Sequence, residues 1–161
     1  MKKAISIIMG SHSDLDTINE ALKVLKEFKA GFEVKILSAH RTPKELSSYV
    51  EGAPKRGVKV FIAAAGGAAA LAGVVAAHTT LPVIGIPIET KGLKGLDSLL
   101  SIVQMPGGIP VASMAIGKSG AKNAALFALE ILGVSNKGIA KRLDAHKKTM
   151  RKKVLCARIK L

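Results

Sequence analysis

Aromatic side chains are nearly absent, at 3% of the chain, with four Phe, one Tyr and no Trp. Single-stranded nucleic acids are held by stacking successive bases on rings, so an RNA or single-strand platform is excluded as the main activity. Cysteine is as scarce. Cys156 stands alone, which excludes an internal disulfide, and its basic setting near the C-terminus does not resemble that of a catalytic thiol. The four histidines show neither the spacing nor the flanking acids and cysteines of a zinc site, so no metal is expected. Long apolar runs are missing too: 48% of residues are hydrophobic, yet no run approaches the roughly 20 that a membrane span needs. The opening "MKKAISIIMG" imitates a signal peptide, but its apolar run ends at Met9 with no small-residue cleavage pattern after it. A cytoplasmic protein with no membrane partner is expected.

Acidic residues are outnumbered, 11 against 25 Lys and Arg, for a net charge of +14. That excess is local. Residues Lys137 to Leu161 hold ten Lys or Arg against the single acid Asp144, leaving about +5 for the rest. A nucleic-acid partner is therefore not expected, beyond nonspecific polyanion contact by this tail.

What the chain does contain is alternation. "AISIIM" (Ala4 to Met9), "FEVKIL" (Phe32 to Leu37), "VKVFIAAA" (Val58 to Ala65), "PVIGIPI" (Pro82 to Ile88) and "PVASMAI" (Pro110 to Ile116) read as strands. Between them lie helical periodicities: Leu15, Ile18, Leu22, Leu25 and Phe28; a segment starting at Thr42-Pro43; "GGAAALAGVVAAH"; a helix beginning at Asp97; and "AKNAALFALEIL", ended by Gly133. Thr42, Pro43 and Glu45 match an N-cap, a first helical position and a capping-box acid, while Gly52 and Pro54 interrupt that helix. Strand–helix alternation implies right-handed crossovers and a parallel sheet buried on both faces. The expected fold is α/β: a three-layer α/β/α sandwich around a parallel five-stranded flavodoxin-like or Rossmann-like sheet, plus a C-terminal helix. Residues 1–134 form the α/β domain, and 135–161 a basic helical extension with no place left in the core, expected to pack on a neighbouring subunit.

Ligands of open parallel sheets bind beyond the carboxyl ends of the strands. Polar, Gly-rich loops follow strands one, two, three and five. In "MGSHSD", Ser11, Ser13 and Asp14 can offer hydroxyls and amides to a phosphate and a carboxylate to ribose; alternatively, Ser13 or Asp14 merely caps the first helix. Gly66 and Gly67 permit close approach to backbone N–H groups. The loop lacks G-x-G-x-x-G, which disfavours NAD. His78 and His146 suit structural or solvated roles. His12 and His40 follow strands one and two and can share a pocket, and His40 has the stronger claim to moving a proton because Arg41 beside it can hold an anion.

Together "MGSHSD", "SAHRTP", "AGGAAALAG", "LDSLLSIVQMPGGIPV" and "AIGKSGAKNAAL" resemble the PurE family in its bacterial class I form, over nearly the whole domain. The resemblance implies a mutase (an isomerase) of purine biosynthesis that moves a carboxylate from the exocyclic nitrogen to C4 of an aminoimidazole ribonucleotide through enclosed CO2, with no cofactor, metal or ATP. It implies His40 as the catalytic acid and base, Ser11, Ser13 and Arg41 at the phosphate, Asp14 at the ribose, and Ser38, Ala65, Gly66 and Ala68 around the imidazole and its carboxylate. It also implies a homo-octamer whose C-terminal helix reaches a neighbour. The family writes "AGGAAHLPG" where this chain has Ala70 and Ala72 in place of the histidine and proline. Two other readings remain open: a carboxylase taking CO2 directly onto aminoimidazole ribonucleotide, and a noncatalytic nucleotide-binding relative.

Overall fold

The computed structural model describes residues 3–159. Five parallel strands form one sheet: β1 (Ile5–Met9), β2 (Phe32–Ile36), β3 (Val60–Ala65), β4 (Val83–Pro87) and β5 (Ala112–Ser113), in the order β2-β1-β3-β4-β5. Strands β1, β3 and β4 are buried along their whole length, as helices on both faces require of central parallel strands. One face packs Ile5, Ile7 and Met9 against α1 (Leu15–Glu27) and α6 (Gly117–Gly133). The other packs Ile8, Phe61 and Ala63 against α2 (Pro43–Glu51), the short α3 (Ala53–Arg56), α4 (Leu71–Ala77) and α5 (Leu96–Val103). The expected three-layer sandwich is thus the fold observed. Among the described residues, no helix is long and apolar enough to cross a membrane.

Several local expectations need correction. The last strand pairs only through Ala112 and Ser113, because it lies at the sheet edge, Pro110 has no N–H to donate, and Gly117 at φ 72° already turns the chain into α6. The Ala-rich helix starts at Leu71 rather than at Gly66, since Gly67 (φ 67°) and Ala69 (φ 33°) adopt left-handed backbone that no α-helix continues. Thr42 does begin α2, with Pro43 in the first turn, but its side chain makes no cap bond and the capping box with Glu45 does not form. Its hydroxyl is engaged in the turn that precedes it. Helix α7 (Lys137–Leu155) is not wholly outside the core: Ile139 and Leu143 are buried in the cluster that includes α1 and α6, and the His146 ring packs 5.5 Å from that of Phe28. From Lys147 to Ile159 every residue is exposed; Lys160 and Leu161 of the expected extension lie outside the described residues.

Below the carboxyl ends of the strands, one polar cluster ties α2 and α3 to the sheet. Ser6 of β1 is fully buried and its Oγ lies 2.9 Å from the Tyr49 hydroxyl, which donates to Glu33 of β2. Arg56 completes the group, donating to Glu33 at 3.2 Å and to the Tyr49 carbonyl at 3.0 Å, with its guanidinium 4.2 Å above the Tyr49 ring. Burial alone disfavours the Glu33 charge, but the Tyr49 and Arg56 bonds outweigh it and hold the carboxyl below its ordinary value. Small side chains do the corresponding work on the other face. A Cβ at Gly120 of α6 would sit 1.6 Å from the carbonyl oxygen of Ala115, so only glycine lets the helix turn back this closely. Gly120→Ala is expected to cost on the order of 3 kcal/mol in denaturant unfolding, whereas Gly107→Ala, with open space around its Cβ, should leave the midpoint nearly unchanged.

Candidate active site

Successive connections run from β1 outward to β2 on one side, while β3, β4 and β5 extend on the other. The winding therefore reverses between β1 and β3, and a cleft of about 530 Å³ opens there, over the carboxyl ends of the strands. It is lined by the loops after β1, β2, β3 and β4. The expectation of a contribution after β5 fails, because β5 lies two strands from the reversal.

After β1 the chain makes a 3-10 turn at His12–Asp14, capped by Ser11 rather than by Ser13 or Asp14. Ser11 Oγ accepts from the Ser13 N–H at 3.3 Å, and the Asp14 carboxylate reaches back to accept from the Ser11 N–H at 3.2 Å. The Ser13 hydroxyl donates toward Ser11 Oγ at 2.9 Å and toward Asp14 at 3.2 Å. This compact arrangement leaves Asp14 only 7% exposed. Burial pushes its carboxyl up from the ordinary value, and the Ser13 and Ser11 hydrogen bonds and the Arg41 charge offset only part of that.

After β2, Ser38 and Thr42 close a tight turn. The Thr42 N–H and hydroxyl both donate to the Ser38 carbonyl, at 3.0 and 3.1 Å, while the Thr42 oxygen accepts from the Ser38 N–H at 2.9 Å. Ser38 Oγ accepts from the Arg41 backbone N–H at 3.2 Å and from its Nε at 3.3 Å, and the Arg41 guanidinium donates to the Gly10 carbonyl at 2.6 Å. Arg41 thus joins the ends of β1 and β2 while remaining exposed. His40, at the apex of the turn, is exposed at the cleft, and none of these turn-forming bonds uses its ring.

Ser11, Ser13, Asp14, Ser38, His40, Arg41, Ala65 and Gly66 all line this one cleft. Ala68 does not: the left-handed turn at Gly67 and Ala69 leaves it exposed, and Ala69, Ala70 and Leu71 face the cleft instead. His12 lies in the turn but is exposed and outside the lining, so it does not share the pocket with His40. Ile88, Glu89 and Thr90 were missed, because "PIET" reads as no more than the end of a strand. His78 meets Glu51 at 3.0 Å, and His146 packs on Phe28, so both have structural partners. Among the described residues, no group of three His, Cys, Asp or Glu is placed to hold a metal ion.

Hydroxyls, a guanidinium, a buried carboxylate and an imidazole share the cleft with alanine and glycine walls, a set that can hold a small anion with a polar sugar. A carboxylate held buried for such a purpose weakens the fold. Its raised pKa means that the folded state binds the proton more tightly than the unfolded chain, so ionisation of Asp14 removes stability as pH rises through the folded value. Asp14→Asn should therefore melt higher than the parent at pH 7 while losing ligand affinity, and the difference in melting temperature should vanish below about pH 4.

The family model described as AIR carboxylase matches residues 4–153. The N5-carboxyaminoimidazole ribonucleotide mutase of Bacillus subtilis is 52% identical over 96% of both chains, and that of Pyrococcus abyssi is 56% identical over 92% of this chain and 84% of its own. In solved structures, PurE of Treponema denticola superimposes with a TM-score of 0.86 at 29% identity, covering 94% of this chain and 93% of that one. The chain belongs to the AIR carboxylase family.

Proposed function

We propose that the protein is an N5-carboxyaminoimidazole ribonucleotide mutase of purine biosynthesis. The observation that carries the reading is the convergence of His40 and Arg41 with Ser11, Ser13 and Asp14 on one cleft at the reversal of the sheet. Its support is the shared name of relatives about half identical over nearly the whole chain.

In this reading Ser11, Ser13 and Arg41 take the phosphate, with Asp14 accepting from ribose hydroxyls. The N-carboxylate loses its C–N bond and leaves as CO2; the bonding pair stays on nitrogen, which takes a proton from His40. Carbon C4 then attacks the retained CO2, and His40 recovers a proton from C4. Substrate and product are isomers, so the balance needs no redox cofactor, metal or ATP. Retaining CO2 beside C4 replaces an encounter with dissolved gas by one at very high effective concentration, with small walls such as Ala65 and Gly66 around it.

Exposed Leu96, Leu100 and Val103 on α5, and the uncovered last turns of α7, supply surface for assembly, which we read as a homo-octamer in the cytoplasm. A second reading has a specific observation behind it: Ala70 lines the cleft at the position where the resemblance implies a histidine. A carboxylase that draws CO2 from solution would depend on bicarbonate, and a noncatalytic relative would bind nucleotide without turnover. Comparing the N-carboxylated nucleotide at low bicarbonate with aminoimidazole ribonucleotide at low and at added bicarbonate separates the three: a mutase converts the first, a carboxylase converts the second only with bicarbonate, and a noncatalytic relative converts neither. His40→Asn should lower turnover roughly 10²- to 10⁴-fold with little change in nucleotide binding; full activity in that variant would show that another group moves the proton.

A further inference from the structure

Two loops that form the cleft wall are held from behind by one hydroxyl. Ser98 of α5 is fully buried among the apolar residues of "LDSLLSIV". Its Oγ donates to the Ile88 carbonyl at 2.7 Å and accepts from the Gly67 N–H at 3.0 Å. Ile88 begins the loop after β4, and Gly67 sits in the left-handed turn after β3; both loops line the cleft. Ser101, one turn further along α5, donates to the Asp97 carbonyl of its own helix at 2.8 Å, with its oxygen 3.4 Å from the Gly67 carbonyl. Thr90 is tied to the same helix through Asp97 at 2.8 Å.

The turn itself has weak internal support, its Ala69 N–H reaching the Gly66 carbonyl only at 3.4 Å. Two left-handed positions within three residues, Gly67 and Ala69, are held where they are chiefly by contacts from outside the turn. Removing the Ser98 oxygen would leave a part-buried carbonyl and a part-buried N–H without this partner at once, and each would be relieved by moving its loop toward water.

We propose that Ser98 is a positioning residue for the reaction: by joining Ile88 to Gly67 it keeps the two loops closed around the space in which the migrating carboxyl carbon is retained. This rests on the mutase reading above. Ser98 touches no reacting atom; it acts through Gly66 and the residues that follow Gly67.

The test supplies nucleotide carrying ¹³C in its N-carboxylate to the full-length protein and to S98A, S98C and S98T, in unlabelled bicarbonate. Turnover, KM and the fraction of label reaching C4 are measured, with thermal unfolding to confirm that each variant folds. The parent should retain its label. S98C fills nearly the same volume with a poor hydrogen-bonding group, so it guards against S98A failing to fold; in it kcat should fall about ten- to a hundredfold, with little change in KM and with label exchanging for solvent carbon. S98T keeps the hydroxyl and should retain more label than S98C. A folded S98C with parental turnover and label retention overturns the role of Ser98, as does lost rate with label fully retained or an S98T no better than S98C. A parent that leaves the nucleotide unconverted overturns the mutase assignment, and the role of Ser98 with it.

Discussion

The reversal of winding between β1 and β3 is the constraint from which the site follows. Strand β1 has neighbours on both sides, and the chain winds from it to β2 on one side but from β3 to β4 and β5 on the other, so no single connection fills the space above its carboxyl end. Burial on both faces gives β1 and β3 little freedom to shift, and this rigidity is passed to the loops they carry. Four loops meet over that gap, and their side chains become one cleft although they are up to 80 residues apart in sequence.

Hydroxyl groups, with Asp14 and Arg41, hold those loops, leaving the His40 ring available. Ser11 caps one turn, Ser38 and Thr42 close another, and Ser98 joins two more. Below, the cluster of Ser6, Tyr49, Glu33 and Arg56 fastens α2 and α3 to β1 and β2, so the turn that starts α2 has a fixed base. His40 stands at the apex of a rigid turn without being engaged in it. The same economy has a cost at Asp14, whose carboxylate is kept in a place where burial disfavours its charge.

Helix α5 has two contrasting faces. Its inner face carries Asp97, Ser98 and Ser101 to the loops, while Leu96, Leu100 and Val103 stand exposed on the outside. Helix α7 likewise joins the core at Ile139 and Leu143 and then runs out as an exposed basic rod. In both, exposed surface adjoins residues with a defined role inside the domain.

The alternation of apolar runs with helical periods was enough for the sheet and its layers, because a parallel strand buried on both faces must be apolar throughout. The "SAHRTP" and "MGSHSD" loops were legible for a related reason: polar residues directly after such strands lie at the carboxyl edge. Local pattern could not say that Thr42 turns its hydroxyl back to Ser38, that Ala69 takes a positive φ and turns Ala68 away, or that Ile88 to Thr90 complete the wall. Nor could it single out Ser98, a serine in an apolar helix whose two partners lie 10 and 31 residues away. Short-range rules act through backbone torsions and neighbouring side chains, which the sequence by itself determines. Which hydroxyl meets which distant backbone group is decided only when the packed sheet brings the loops together.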